Sequence, residues 1–543
     1  MGLATKISFS LFLLSGAVFA QTSQINGLVK DSTGAAIPGA AIKATQTATG
    51  VVRTTTSGTD GGYVFSALPV GPYLLEVNKE GFSKFAQSGI VLQVDSAPTV
   101  DVTLQVGALS EQVTVEAGAL QVETRNTTIG QVVDNQRIME LPLNGRDVHQ
   151  LVFLAGMANY PGNNSLQSVR NYPTVVVAVA GGMPDSVGYS LDGVIHQDPY
   201  NNLSLPLPFP DAVQEFKVEW SGAPAQYGYH STATVNAITK SGTNQFHGDL
   251  FEFLRNGNLN ANDFFSNAAG RPRDTYKRNQ FGGTLGGPIK KDKLFFFGGY
   301  QRTTLRSDGT ANTAFIPTPA MAQGDFSSIK TPLPPSLGFN SNNQISPTLL
   351  NPVALNIYKT MVPTSDPTGK TFYSTVGNQD EDLYSGKVDY QINAQHSIFG
   401  RVMAAKLAQG SSYDGKNPLT IANYGLNDLV YGFSLGHTWV MSPSLVSTLR
   451  LGANRTNIAK VPDNYHSFAD FGANVSPLGG NNISNAVTGY FTIGGGGAAP
   501  GESHNGPLWS INEDLSWVKR SHQIGFGGSI YQQRLNYWSG GAG

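Results

Sequence analysis

No cysteine occurs among the 543 residues. Thiol chemistry, disulfides and Cys-ligated zinc are excluded together. The absence also suits an oxidising compartment, where stray thiols would mispair. Charge is scarce as well: 13% of residues are charged and the formal net charge is −2. A nucleic-acid binder carries a basic stripe, and none is visible, so no nucleic-acid partner is expected. Long apolar runs are missing too. Beyond the N-terminus no stretch of about 18 apolar residues exists, which leaves no helical membrane span. Membrane insertion would then need a closed barrel, because open strands leave backbone groups unpaired in lipid. What the chain does have is glycine, 63 residues, together with 10% aromatics. Disordered chains lack the aromatics, and the combination suits many strands joined by turns.

The N-terminus predicts the export route. Lys6 precedes an apolar run from Ile7 to Phe19, and Val18-Phe19-Ala20 stands ahead of Gln21. A positive start, a short apolar core and small residues at −3 and −1 describe a secretory signal peptide. Cleavage is expected between Ala20 and Gln21. The run is too short for a spanning helix.

Residues 24–105 read as a small all-β domain of about seven strands, with turn signals at Asp31-Ser32-Thr33-Gly34, Pro38-Gly39, Thr59-Asp60-Gly61-Gly62 and Glu80-Gly81. The phrases Gly61-Gly62-Tyr63-Val64-Phe65, Leu68-Pro69-Val70-Gly71-Pro72-Tyr73 and Glu80-Gly81-Phe82 resemble the carboxypeptidase regulatory-like domain. That resemblance implies a non-catalytic, transthyretin-like β-sandwich with carbohydrate-binding kin. Residues 108–245 change character. An alternating segment, Ser110 to Ala117, leads to a predicted helix from Asn135 to Leu141, which Pro142 ends. A second helix is expected from Arg146 to Leu154. Strand-like pieces follow at Thr174–Ala180, Tyr189–Ile195, Val213–Trp220 and Thr234–Thr239, so this part reads as a mixed α/β unit.

From residue 246 onward nine strand-length segments appear: Phe246–Arg255, Arg278–Gly287, Leu294–Arg302, Leu383–Ile392, Ser397–Lys406, Leu429–Val440, Leu445–Asn454, Leu508–Trp517 and His522–Gln532. In the fourth, Tyr384, Val388, Tyr390 and Ile392 alternate with Ser385, Lys387, Asp389 and Gln391. Period two with a polar second face fits a membrane barrel with a wet interior. A soluble antiparallel sheet gives the same local signal. The connections separate the two. Links after strands two, four, six and eight are tight, and those after one, three, five and seven are long. Outer-membrane barrels have short periplasmic turns and long external loops.

At this point a family resemblance is visible. Val213-Gln214-Glu215-Phe216-Lys217-Val218, Gln226-Tyr227-Gly228 and Ile238-Thr239-Lys240-Ser241-Gly242-Thr243-Asn244-Gln245-Phe246-His247-Gly248 resemble the end of the plug in TonB-dependent receptors. Phe251 to Asn256, Leu141 to Arg146 and Tyr189-Ser190-Leu191-Asp192-Gly193-Val194 resemble the Oar-like subgroup. The resemblance implies a mainly β protein: a periplasmic sandwich, an α/β plug and an outer-membrane antiparallel barrel of about 22 strands. It divides the chain into a signal peptide (1–20), sandwich (21–107), TonB-box-like segment (108–118), plug (119–245) and incomplete barrel (246–543).

The implied partners are a TonB-type inner-membrane energy transducer, outer-membrane lipid and an extracellular solute. A glycan is favoured because of the sandwich; a siderophore or peptide is the alternative. Ser110, Glu111, Gln112, Val113, Thr114, Val115, Glu116 and Ala117 look like the TonB box, since an extended β-branched stretch can add to a partner's sheet edge. The competing reading is an ordinary linker strand ending the sandwich. Asn144, Gly145, Arg146, Asp192, Gly193, Gly228 and Gly242 are assigned architectural roles in the plug, as turns and packing points, with no ligand contact proposed. Nine strands leave two open edges, which lipid does not tolerate. The expectation is therefore a chain cut short, unable to seal a pore alone, with roughly thirteen strands to follow.

Other chemistry is not supported. Gly432-Phe433-Ser434-Leu435-Gly436 matches the nucleophile-elbow pattern, but it sits inside a continuing strand rather than a strand–turn–helix. Gly410 and Gly415-Lys416 approach a P-loop, but Asn417 stands where Ser or Thr would hold magnesium. The nine histidines form no zinc pattern. No catalytic residue, metal site or cofactor is expected. The leading function is energised uptake of a bulky solute. Its rival is a non-transporting adhesive or structural surface barrel.

Overall fold

The computed structural model describes residues 23–107, 112–116, 128–161, 172–221, 230–270, 273, 275–307, 312–463, 465–475, 483–494, 501–519 and 522–539. The signal-peptide positions Ala20 and Gln21, together with Ser110, Glu111, Ala117 and Gly228, lie outside them.

Eight strands open the chain: β1 (Ser23–Asp31), β2 (Ala41–Gln46), β3 (Val52–Thr56), β4 (Gly62–Leu68), β5 (Gly71–Asn78), β6 (Lys84–Leu92), β7 (Val102–Leu104) and β8 (Gln112–Glu116). One sheet runs β4-β1-β7 and the other β3-β2-β5-β6-β8. Alternate residues meet between them: Ile25, Val29, Ile42, Tyr63, Phe65, Leu75, Val77 and Ile90 form one core. Period-two burial, as in β5, is what two stacked sheets require.

The next unit holds β9 (Ile129–Asp134), helix α1 (Asn135–Glu140), β10 (Val187–Leu191), β11 (Val194–Ile195), β12 (Val213–Ser221) and β13 (Ala233–Thr239). Its sheet order is β11-β10-β13-β12-β9. Helix α1 starts where the Asp134 side chain accepts the Arg137 N–H and stops at extended Leu141, ahead of Pro142. The expected helix from Arg146 to Leu154 is absent. Two 3-10 turns, Asn144–Arg146 and Val148–Leu154, stand there instead. Gly145 and Arg146 have positive φ and Asp147 is extended, which breaks any continuous helix. Thr174–Ala180 is also not a strand apart from Ala178–Val179.

Nine long strands follow: β14 (His247–Asn256), β15 (Lys277–Lys290), β16 (Leu294–Ser307), β17 (Gly377–Gln391), β18 (His396–Gln409), β19 (Gly425–Ser442), β20 (Leu445–Val461), β21 (Glu502–Lys519) and β22 (His522–Gln533). A short β23 (Asn536–Ser539) pairs with β21. All nine pair antiparallel in sequence order, and long and short connections alternate as expected. Several strands run further into the long-loop end than the alternation shows. Gly377 to Asp382 is polar at every position, because a strand that has left the apolar band no longer needs an apolar face. The two faces are clear on β17: Tyr384 is 50% exposed and Val388 44%, while Ser385 and Lys387 are buried.

The long loops hold structure of their own. Ala314, Ile316, Ile357, Met361, Leu419, Ile421, Phe471, Ile483 and Ile493, drawn from three loops, form a separate apolar core. At the short-turn end the sandwich meets the barrel. Arg53 donates to the Ala394 carbonyl at 2.5 Å, and the Asn244 N–H donates to the Ala48 carbonyl at 3.0 Å.

Candidate functional site

The plug and the wall share an apolar core, and two buried polar clusters stand beside it. The first is built on the β10–β11 hairpin. Asp192 (φ 49) and Gly193 (φ 82) both take positive φ, the requirement of a two-residue type I′ turn, for which Asp-Gly is a preferred pair. The turn aims the Asp192 carboxylate along β13. There it accepts from the Thr239 N–H at 3.0 Å and from the Thr239 hydroxyl at 2.8 Å. From the wall, Lys387 Nζ reaches it at 3.2 Å and Arg401 Nε at 3.3 Å. Lys387 also donates to the Thr239 carbonyl.

All of these groups are buried, and Arg401 is 0% exposed. Burial alone would raise the Asp192 pKa. Lys387, Arg401 and the Thr239 hydrogen bonds outweigh it and hold the carboxyl below its ordinary range. Beside the cluster, Lys387, Asp389, Phe399 and Arg450 of the wall, with Gln46 and Thr49 of the sandwich, line a cavity of about 300 Å³. Just downstream, Gly242 passes so close to the wall that a Cβ would lie 2.3 Å from the Phe296 carbonyl oxygen. Only glycine fits where the chain leaves plug for barrel.

The second cluster is the loop Asn144-Gly145-Arg146. Arg146 pairs with buried Asp211, donates to Gln301 Oε1 at 3.1 Å and lies over the rings of Phe253 (4.2 Å) and Phe251 (4.6 Å). Gln280 donates to the Gly145 carbonyl at 2.9 Å, and Arg278 reaches Asn144 Oδ1 at 3.5 Å. Asp211 is pushed up to about 6 by burial and by neighbouring Asp249, against the pull of Arg146. A polar cavity of about 230 Å³ opens beside this loop. Asn144, Gln280, Gln301, Thr303, Gln379 and Glu381 line it, on the long-loop side of the plug.

Next to that cavity His149 joins Asp147 (2.6 Å) and Ser204 (2.7 Å). The order of groups is that of a nucleophilic triad. Here, however, Ser204 is buried and its hydroxyl also donates to the Leu205 carbonyl at 2.8 Å. The set braces the loop against residues 204–205. Ser434, the elbow-pattern serine, is buried on β19 in an uninterrupted strand.

A third joint ties plug to sandwich. The Val94 N–H donates to Glu215 Oε2 at 2.6 Å. Lys217 pairs with Glu219 at 2.6 Å and lies 3.9 Å from Asp95. Burial, with Asp134 and Asp95 adding to it, raises Glu215 to about 7 despite the Val94 hydrogen bond.

The structure thus brings Asn144, Gly145, Arg146, Asp192, Gly193 and Gly242 to the plug–wall seam. It places Gln112 to Glu116 elsewhere, as strand β8 parallel to β6. Sequence reading missed Lys387, Arg401 and Asp211 as partners. For Lys387 and Arg401 the signal was an inward-facing charge on a wall strand; Asp211 lies in a 3-10 turn of the plug and carried no such pattern.

Residues 238–543 match the family described as outer membrane beta barrel domain, and residues 24–105 match the carboxypeptidase regulatory-like domain. The TonB-dependent transporter Oar of Myxococcus xanthus is 31% identical over 323 residues, which is 55% of this chain and 30% of that protein. Among solved structures, the outer membrane transporter YddB from Escherichia coli aligns at TM-score 0.46 and 11% identity, covering 74% of this chain and 48% of that one. The siderophore receptor PirA from Acinetobacter baumannii aligns at 0.43 and 13%, covering 75% and 48%. The chain spans about a third of the curated relative's length and about half that of the solved structures. It belongs to the outer membrane beta barrel domain family, is similar to the TonB-dependent transporter Oar, and its place is the bacterial outer membrane.

Proposed function

We propose that the chain takes part in energised uptake of a bulky extracellular solute, with a TonB-type inner-membrane protein pulling on the segment upstream of the plug. The observation that carries this is the plug's attachment. Asp192 pairs with Lys387 and Arg401 of the wall, and Arg146 reaches Gln301 and the Phe253 ring, so that buried polar contacts help hold the plug there. These polar contacts stand beside an apolar core that plug and wall share, through Leu383, Met403, Leu407 and Leu426 of the wall. In this reading residues 110–117 are the TonB box, the sandwich hangs in the periplasm, and the precursor is cleaved after Ala20. N-terminal sequencing of the mature protein should begin at Gln21. A polar solute such as a glycan is favoured for the cavity beside Asn144 and Gln280, where Arg146, Asp147, Arg278 and Glu381 stand among the amides. A glycan array and a panel of iron chelates separate the candidates: tight chelate binding with no glycan bound would reject the glycan.

A second reading, adhesion without transport, is favoured by the separate apolar core of the long loops. Deleting residues 110–117 discriminates. Uptake should stop in the first case, while surface adhesion should survive in the second.

A further inference from the structure

The TonB-box reading leaves open how the segment is offered to its partner, and the sandwich supplies an answer. Strand β8 lies parallel to β6 in the register Lys84↔Gln112, Phe85↔Val113, Ala86↔Thr114, Gln87↔Val115 and Ser88↔Glu116. It is the terminal strand of its five-stranded sheet, with no further strand beyond it among the described residues. Backbone groups of a strand project to both sides, so pairing with β6 engages one edge only, and the other is a template for a further strand. Val113 is 40% exposed and Val115 38%. Both stand on one face, as alternate residues do, and offer apolar contact to whatever lies alongside.

The sheet behind them is fixed in place. Strand β6 is flanked by β5, and the sandwich is tied to the plug by Val94–Glu215 and to the wall by Arg53–Ala394.

We propose that the energy-transducing partner adds its strand to the outer edge of β8 while β8 stays paired with β6, so that the sandwich sheet and the partner sheet become continuous. This rests on residues 110–117 being the TonB box. Adding a strand to the outer edge breaks none of the β6 rungs, whereas capture of a freed segment would break all five. Holding the segment extended beforehand also removes an ordering cost from binding. The sandwich is then a platform for the box as well as a periplasmic appendage.

The absence of native cysteine makes the test clean. The full chain carrying Ala86→Cys and Thr114→Cys, which are register partners, is oxidised in detergent to staple β8 to β6. Binding of the periplasmic domain of the TonB-type partner is then compared before and after reduction of the same sample. Affinities equal within about threefold support the proposal. Binding lost on oxidation and regained on reduction overturns it, since β8 would have to leave. Hydrogen exchange on the unmodified chain gives a second readout. Amides of residues 84–88 should keep their protection when the partner binds, while those of 112–116 gain it; loss of protection at 84–88 would mean displacement. The underlying reading fails separately: if Val113→Pro leaves partner binding unchanged, the box itself is misassigned.

Discussion

Asp192 shows how one carboxylate can hold two bodies together. It closes a tight turn in the plug and pairs with two cations of the wall, Lys387 and Arg401, which are 8% and 0% exposed. Removing one partner of a buried pair leaves the others charged and unpaired, at a cost of about 3–5 kcal/mol. Asp192→Asn should therefore lower the denaturant midpoint of the solubilised chain substantially. Adding Lys387→Met should recover part of the loss. If the double variant is no more stable than the single, the two groups are not coupled.

Glu215 makes a pH prediction of definite sign. Its folded pKa, about 7, lies above the ordinary 4.5. Below pH 4.5 it is protonated folded or unfolded and adds no penalty. Between 4.5 and 7 the unfolded chain ionises first, so stability falls as pH rises. Above 7 the penalty is constant. Melting at pH 5 and pH 8 should show a higher Tm at the lower pH from this group. Glu215→Gln should raise Tm at pH 8 and flatten the slope; an unchanged slope would assign the pH dependence to other groups.

At the scale of elements, β8 separates what sequence carries from what it does not. Its alternation marked an extended segment, and the structure makes it a strand. Its parallel partner, β6, was not legible, because parallel pairing leaves no turn signal between the two strands. If residues 110–117 are the TonB box, as proposed, Val113→Pro should remove a backbone donor and weaken binding of a TonB-type partner by about tenfold or more, as a loss of about 1.4 kcal/mol implies. A pull-down titration checks it. The nine barrel strands were legible because several alternate cleanly and the tight turns carry Pro, Asn, Ser or Lys. The Asp192–Lys387 contact was not, since 195 residues separate the two. The loop core was not either: its nine buried residues come from three loops with no common period. The 3-10 turns replacing the expected second plug helix follow from the positive φ of Gly145 and Arg146, and that loop's shape is set by the wall it grips.

For the whole molecule, the lipid-facing surface sets the last test. Outward aromatics mark two levels on β17, Tyr384 toward the loops and Tyr390 toward the turns. They are six positions apart, about 20 Å along a strand at 3.4 Å per residue. At the loop end Tyr300 lies against Tyr384 with ring centres 4.9 Å apart, beside the pairs Arg302–Asp382 (3.0 Å) and Arg306–Asp380 (2.9 Å). At the turn end Lys293 sits over Tyr390 and Lys519 over Trp517. Aromatic rings with charges beyond them are the pattern of the two membrane interfaces. Val402 lies between these levels, paired with Gly386 and Phe433 and 58% exposed. Its neighbour Met403 is buried against the plug core. Val402→Arg would place a cation against hydrocarbon, at a cost of about 2–4 kcal/mol near the midplane, whereas Val402→Leu should be near neutral. Urea titration in lipid vesicles should resolve that difference, and repeating it in water-rich short-chain detergent should shrink it. Equal midpoints for the Arg and Leu variants in lipid would place this face of the sheet outside the membrane.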